Sequence, residues 1–260
     1  MDCRFINFKK FFMAQIKLKD ISTRAPKSVD KEKTKAKTQE IIAELDDLQN
    51  LLYASAKHAI LVIIQGMDAS GKDGVIRNVF GNLNPQGVTV QSFKVPTAVE
   101  LSHDFLWRVH EHAPQKGMIQ IFNRSHYEDI LVTRVHNIID DATAYNRMKA
   151  INDFEDLLIT HNSTKILKFY LHVSPEEQQK RLEERLSDET KQWKYNENDF
   201  AEAKLWPKYM AAYEDCFKHC NNVEWTIVPA DQNWYKEYII ASALHKTIKN
   251  LKMQFPGLKK

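Results

Sequence analysis

Cysteine is scarce in this chain: 260 residues hold three, Cys3, Cys216 and Cys220. So few, and odd in number, they exclude a disulfide framework and point to a reducing, cytoplasmic setting. Apolar runs long enough to cross a bilayer, ~20 residues, are missing altogether. Excess charge of one sign is missing too, since 37 Lys and Arg against 34 Asp and Glu leave a formal net charge of +3. No nucleic-acid partner is therefore expected from the overall field, and any polyanion must be met by local clusters of charge. Internal repeats and low-complexity linkers are absent, so one domain with its insertions is the economical reading at this length. Residues 1–12 lack the apolar core of a signal peptide. Two readings of them stand: a basic amphipathic arm, with Phe5, Phe8, Phe11 and Phe12 among Arg4, Lys9 and Lys10, or overhang before a start at Met13.

Glycine is also rare, seven in all, which makes one cluster informative. Gly66-Met67-Asp68-Ala69-Ser70-Gly71-Lys72 fits G-x-x-x-x-G-K, whose loop amides and lysine cradle a polyphosphate. Before it, 59–65 is apolar and rich in β-branched residues, as in a buried parallel strand. After it, 74–80 has the apolar spacing of a helix. Gly66, Ala69, Ser70, Gly71, Gly74 and Lys72 are thus candidate phosphate contacts. The usual Ser or Thr after the lysine is replaced by Asp73, and a second acid, Asp68, lies inside the loop. Two acids would repel a phosphate unless a cation lay between them. The loop predicts a metal–phosphate site with Asp68 and Asp73 as metal ligands.

Along the chain, 17–37 is lysine-rich, is broken by Pro26, and reads as an extended arm. From about Thr38 the spacing of Ile41, Leu45, Leu48 and Leu52 predicts an amphipathic helix leading into the first strand. Further strands are expected at 88–93, 117–122, 166–173 and 223–228, with helices at 97–108, about 142–160, from Ser174 and from Trp234. This alternation predicts an α/β fold, a parallel sheet flanked by helices, with right-handed crossovers. Residues 1–37 would form an N-terminal basic arm and 38–260 the P-loop domain.

Ligands of open parallel sheets bind beyond the carboxyl ends of the strands. The first and third strands end at the glycine loop and at Asn123-Arg124, so these tips should share a crevice. Arg124 would point a planar guanidinium at phosphate oxygens. Glu128 and Asp129 either hold metal, contact nucleotide or cap the following helix. The mixed-charge stretch 180–194 begins as a helix with i,i+4 pairs. After Leu186 it loses periodicity and carries Lys191, Trp193 and Lys194, which reads as a lid over phosphates at about 185–198. Cys216, His219 and Cys220 lack an evident fourth ligand and read as structural, and His103, His110 and His112 as packed or exposed.

Together these residues resemble the polyphosphate kinase 2 family. The match runs over roughly 37–249. It is carried by Gly66-Met67-Asp68-Ala69-Ser70-Gly71-Lys72-Asp73-Gly74, Phe93-Lys94-Val95-Pro96-Thr97, His103-Asp104-Phe105-Leu106-Trp107-Arg108 and Phe122-Asn123-Arg124-Ser125-His126-Tyr127-Glu128-Asp129. Trp193-Lys194 and Val228-Pro229-Ala230-Asp231-Gln232-Asn233-Trp234-Tyr235 add to it. The resemblance implies a P-loop kinase-like fold with a helical lid and Mg²⁺-dependent phosphoryl transfer between inorganic polyphosphate and nucleotides (AMP, ADP, ATP). It also implies a homo-oligomer, dimer or tetramer. It places Asp68 and Lys72 in the catalytic centre with Asp73 and Arg124 beside them, and Arg77, Lys94 and Arg134 along the phosphate channel. Many members carry Asp where Asn123 stands, Trp at His126 and Asn at Glu128; the version here resembles the branch acting on both AMP and ADP. Two rivals remain: an ATP-dependent nucleotide kinase, disfavoured by Asp73, and a nucleotide sensor, which has no use for two loop acids.

Overall fold

Ala59–Gln65 forms β1, and all seven of its residues are buried, as befits a run of Ile, Leu and Val covered by helices on both faces. The structure is a computed structural model that describes residues 16–258; the segment 1–12 lies outside them. Val88–Ser92 (β2), Ile119–Asn123 (β3), Thr164–His172 (β4) and Trp225–Pro229 (β5) complete a five-stranded sheet in the order β2-β3-β1-β4-β5. Every pairing is parallel. The chain fills one side of β1 with β2 and β3, then crosses to the other side for β4 and β5. That reversal opens a crevice at the tip of β1. The register sets Ile64 opposite Asn123 and Gln65 opposite Tyr170, so the ends of β3 and β4 flank it.

Ten helices among the described residues cover the sheet. Lys31–Ser55 (α1) lies along Asn233–Lys249 (α10). Lys72–Val75 (α2) runs on as a π turn over Ile76–Phe80. Ala98–Leu101 (α3) and Trp107–His110 (α4) are single turns. Glu128–Val135 (α5), Asp141–Asn162 (α6), Pro175–Ser187 (α7), Glu197–Ala203 (α8) and Trp206–His219 (α9) follow. None is long and apolar enough to cross a membrane.

Two expectations are corrected. The first helix begins at Lys31, not near Thr38, because Asp30 caps it by accepting from Lys33 N at 2.8 Å. Its first two turns bury Thr34 and Thr38 instead of apolar side chains, so the apolar stripe starts late and 31–37 looks like a polar arm. The helix expected over 97–108 is two separate turns. Between them Ser102 Oγ donates to Val99 O at 2.7 Å and Asp104 Oδ1 accepts from Leu106 N at 2.9 Å. Short polar side chains that bond the nearby backbone compete in this way with helix continuation.

Cys216 and Cys220 are buried and free. The three histidines pack on rings: His103 on Trp107, His110 on Phe154 and His112 on Phe93.

Candidate active site

The loop from β1 to α2 holds glycine where nothing else fits. Gly66 has φ 153° and Gly71 φ 94°. A Cβ at Gly66 would meet Ser70 Oγ at 2.8 Å and Leu171 O at 3.0 Å; one at Gly71 would stand 2.1 Å from Lys236 Nζ. Only a residue without Cβ satisfies both space and dihedral. Inside the loop, the buried Lys72 donates from Nζ to Gly66 O at 2.8 Å and Met67 O at 3.1 Å. Burial and the nearby Arg124 push its pKa down to about 8, while Asp68, Glu128 and Asp73 act against that shift.

β3 delivers Arg124 to the same place by an uncommon route. Its φ is 61°, a left-handed conformation that costs an L-residue roughly 1–2 kcal/mol. Its N donates to Ile64 O at 3.1 Å, which ties it to the end of β1. The turn carries the guanidinium over the loop, where Nη2 pairs with Asp68 and Nη1 lies 3.6 Å from Glu128 Oε2. Burial works against its charge, but Glu128 and Asp68 outweigh that and hold its pKa above the usual range. Burial pushes the Glu128 carboxyl up, although Arg124 and Lys72 pull it down. The Gln65 amide, turned so that both its ends are satisfied, donates to Glu128 Oε1 at 2.9 Å.

Asp73 accepts from Asn123 Nδ2 at 2.9 Å and from Lys194 Nζ at 2.7 Å. Burial opposes its charge, yet these two hydrogen bonds hold its pKa below the usual value. Lys194 belongs to a 3₁₀ turn, Gln192–Lys194, in the segment linking α7 to α8. That segment, expected as a lid, therefore touches the loop through one ion pair. Lys191 instead pairs with Glu184 at 3.2 Å and Asp188 at 3.1 Å.

The fold thus gathers Gly66, Asp68, Ala69, Ser70, Gly71, Lys72, Asp73, Gly74, Asn123, Arg124, Glu128 and Lys194 around one crevice. Four other candidates make their polar contacts elsewhere. Arg77 is exposed and donates to Asn78. Lys94 is exposed beyond β2, and its carbonyl accepts from Arg108. Arg134 pairs with Asp141 at 2.8 Å and Asp215 at 2.6 Å, and Lys191 is held within its own segment.

Three residues beneath the loop escaped the sequence reading. Gln178 Nε2 donates to Asp68 O at 2.9 Å. Arg181 donates to Ala69 O and Ser70 O from Nη1, both at 3.1 Å, and to Ala230 O and Asp231 O from Nη2, both at 2.9 Å. It was hidden by its i,i+4 partner Glu177, 2.8 Å away, which made it look like part of a solvated face. Lys236 donates to Ser70 O at 3.1 Å. A signal for it existed: it shares the buried stripe of α10 with Ile240, Leu244 and Ile248.

A family model described as polyphosphate kinase 2 (PPK2) matches residues 28–256. The chain belongs to the polyphosphate kinase 2 family. It is similar to a protein named AMP/ADP-polyphosphate phosphotransferase from Meiothermus ruber, 46% identical over 214 residues, covering 82% of this chain and 80% of the relative. It is also 43% identical over 229 residues to an ADP-polyphosphate phosphotransferase from Rhodopseudomonas palustris, covering 83% and 79%. The crystal structure of Polyphosphate Kinase 2 from Arthrobacter aurescens superposes with a TM-score of 0.91 at 37% identity, covering 96% of this chain and 90% of that one. The α/β architecture, a five-stranded parallel sheet between helices, is therefore that of polyphosphate kinase 2.

A divalent metal fits the polar groups of this polyphosphate kinase 2 crevice. No group of three His, Cys, Asp or Glu among the described residues could hold a metal ion unaided. Asp68 and Asp73 instead offer two carboxylates from one loop, each now neutralised by a cation. Mg²⁺ is commonly bound in this way, by one or two carboxylates with phosphate and water completing its shell.

Proposed function

We propose that this protein transfers phosphoryl groups reversibly between inorganic polyphosphate and adenine nucleotides, phosphorylating AMP and ADP. The observation that carries the reading is the pair of acids in a lysine-bearing phosphate loop, each matched to a cation from another element: Asp68 with Arg124, Asp73 with Lys194. Without ligand these pairs neutralise one another. When a phosphate chain enters, Lys72, Arg124 and Lys194 turn to its oxygens and leave the carboxylates free. Asp68 and Asp73 would then hold Mg²⁺, which would supply charge neutralisation to the phosphates.

Phosphoryl transfer asks the protein for in-line positioning and charge stabilisation, not for covalent chemistry. The loop amides and Lys72 seat one phosphate, and Arg124 spans toward the transferring group. A phosphate acceptor is already ionised near neutral pH, so no general base is required; Asp68 orients the attacking oxygen. A homo-oligomer, dimer or tetramer, in a cytoplasmic setting completes the reading.

The deciding assay supplies purified protein and Mg²⁺ with AMP or ADP, and polyphosphate or ATP as sole donor, followed by nucleotide chromatography. Polyphosphate-dependent ADP and ATP are expected. Transfer from ATP alone would make this a nucleotide kinase, and no transfer from either would make it a sensor.

Two variants probe the edges of the crevice. Lys194→Ala should raise the apparent KM for polyphosphate about two- to fivefold, the scale of a partly exposed ion contact, with a shallower salt dependence. Lys191→Ala, whose partners lie in its own segment, should do less. If instead only the nucleotide KM rises, the lid covers nucleotide. Glu128→Ala should lower kcat/KM for AMP roughly tenfold and for ADP less. A carboxylate here can accept a hydrogen bond from the base or ribose, and losing one such bond costs ~1–3 kcal/mol. ADP keeps its extra phosphate on Lys72 and Arg124, whereas AMP depends more on that contact. Equal losses for both acceptors would mean that Glu128 acts only by holding Arg124 or α5.

A further inference from the structure

We propose, building on the phosphoryl-transfer reading above, that Lys236 is a second cation of the phosphate loop. It is a positioning residue that holds the Ser70–Gly71 turn from behind and supplies buried positive charge for an oligophosphate chain. Its side chain is 1% exposed, in the first turns of α10. Nζ donates to Ser70 O at 3.1 Å and occupies the space over Gly71, 2.1 Å from where a Cβ would be. The glycine at position 71 is therefore needed for this lysine as much as for the backbone dihedral.

A purely structural filler would not be a lysine. An ammonium has three donors, and among the described residues Ser70 O is the one acceptor this one has. The charged groups around it come from three elements: Arg181 and Glu177 on α7, Glu237 on α10 itself and Lys72 on α2. Glu177 is taken up by Arg181, and Glu237 accepts from Asn78 at 2.7 Å. Nη1 of Arg181 lies 3.6 Å from the same Cβ position of Gly71. Three cations thus crowd under one short loop, and none of the nearby acids bonds Lys236. A buried charge without a counter-ion is costly, and an anion seated in the loop would offset that cost. Burial and Arg181 push its pKa down to about 7, so part of the population is neutral at physiological pH. An incoming phosphate chain, inorganic or on a nucleotide, would draw a proton onto it.

The test compares wild type, K236M and K236R by calorimetry at pH 7.5 with Mg²⁺, using inorganic tripolyphosphate and, separately, ADP. Two buffers of different ionisation enthalpy give the protons taken up per ligand bound. Protons from the ligand and from Lys72 are common to all three proteins, so the difference reports Lys236. Wild type should take up more protons than either variant. K236M keeps the length without the charge and should bind tripolyphosphate roughly tenfold more weakly, as expected for a charge-assisted contact. K236R is permanently charged and should recover affinity with the smaller proton uptake. A K236R that is too bulky to fold leaves the wild-type and K236M comparison to decide.

Equal proton uptake in wild type and K236M, or unchanged affinity with only a lowered melting temperature, would make Lys236 structural and leave phosphoryl transfer standing. Wild type that binds neither tripolyphosphate nor ADP would overturn the transfer reading, and this one with it. Uptake with only one ligand would identify which chain occupies the loop.

Discussion

Lys72→Ala is expected to lower polyphosphate-dependent turnover by at least ~10²-fold, the scale seen when one donor to a developing negative charge is removed. The lysine is buried inside the loop and donates to Gly66 O and Met67 O. Its ammonium therefore already lies inside the cradle and has only to exchange these carbonyls for phosphate oxygens. Burial and the nearby Arg124 push its pKa down to about 8, so its charge is held at a cost that the variant relieves, and the variant should fold. Initial rates beside a melting curve give the answer. Near-normal turnover in a well-folded variant would take this loop out of the mechanism.

Asp68→Asn should cost a comparable ~10²-fold, for a different reason. Asp68 is both the partner of Arg124 and a proposed metal ligand, and the amide keeps the shape but loses both functions. The guanidinium of Arg124 would then be balanced by Glu128 alone, 3.6 Å away, and would settle toward that side. Raising Mg²⁺ should restore little, because the position of Arg124 and the orientation of the acceptor are lost along with the ligand. Full recovery at high Mg²⁺ would show that Asp68 is a metal ligand only. Unchanged rates would exclude it from both tasks.

Local patterns made much of this legible. The glycine loop could be read because only glycine fits at Gly66 and Gly71, and the strand before it because seven consecutive residues face packed helices. Asp68 and Asp73 stood out as charges that a phosphate site does not tolerate without cations. The start of α1 was missed because its buried contacts there are threonines. The break between α3 and α4 was missed because periodicity does not weigh the backbone hydrogen bonds of Ser102 and Asp104. Arg134 and Lys94 shared the charge of phosphate contacts, but charge alone carries no direction. Arg134 turned out to satisfy Asp141 and Asp215.

What the sequence determined by itself was the alternation of strands and helices, the phosphate loop and its two acids. Each depends on residues near one another in the chain, whose spacing records the local geometry. Only the tertiary structure decided which cation meets which acid. Asp68 and Arg124 are 56 residues apart, Asp73 and Lys194 are 121 apart, and Ser70 and Lys236 are 166 apart. No pattern along the chain encodes those pairings. They arise because strand order brings the tips of β1 and β3 together, α7 and α10 close in beneath the loop, and the turn after α7 folds back over it.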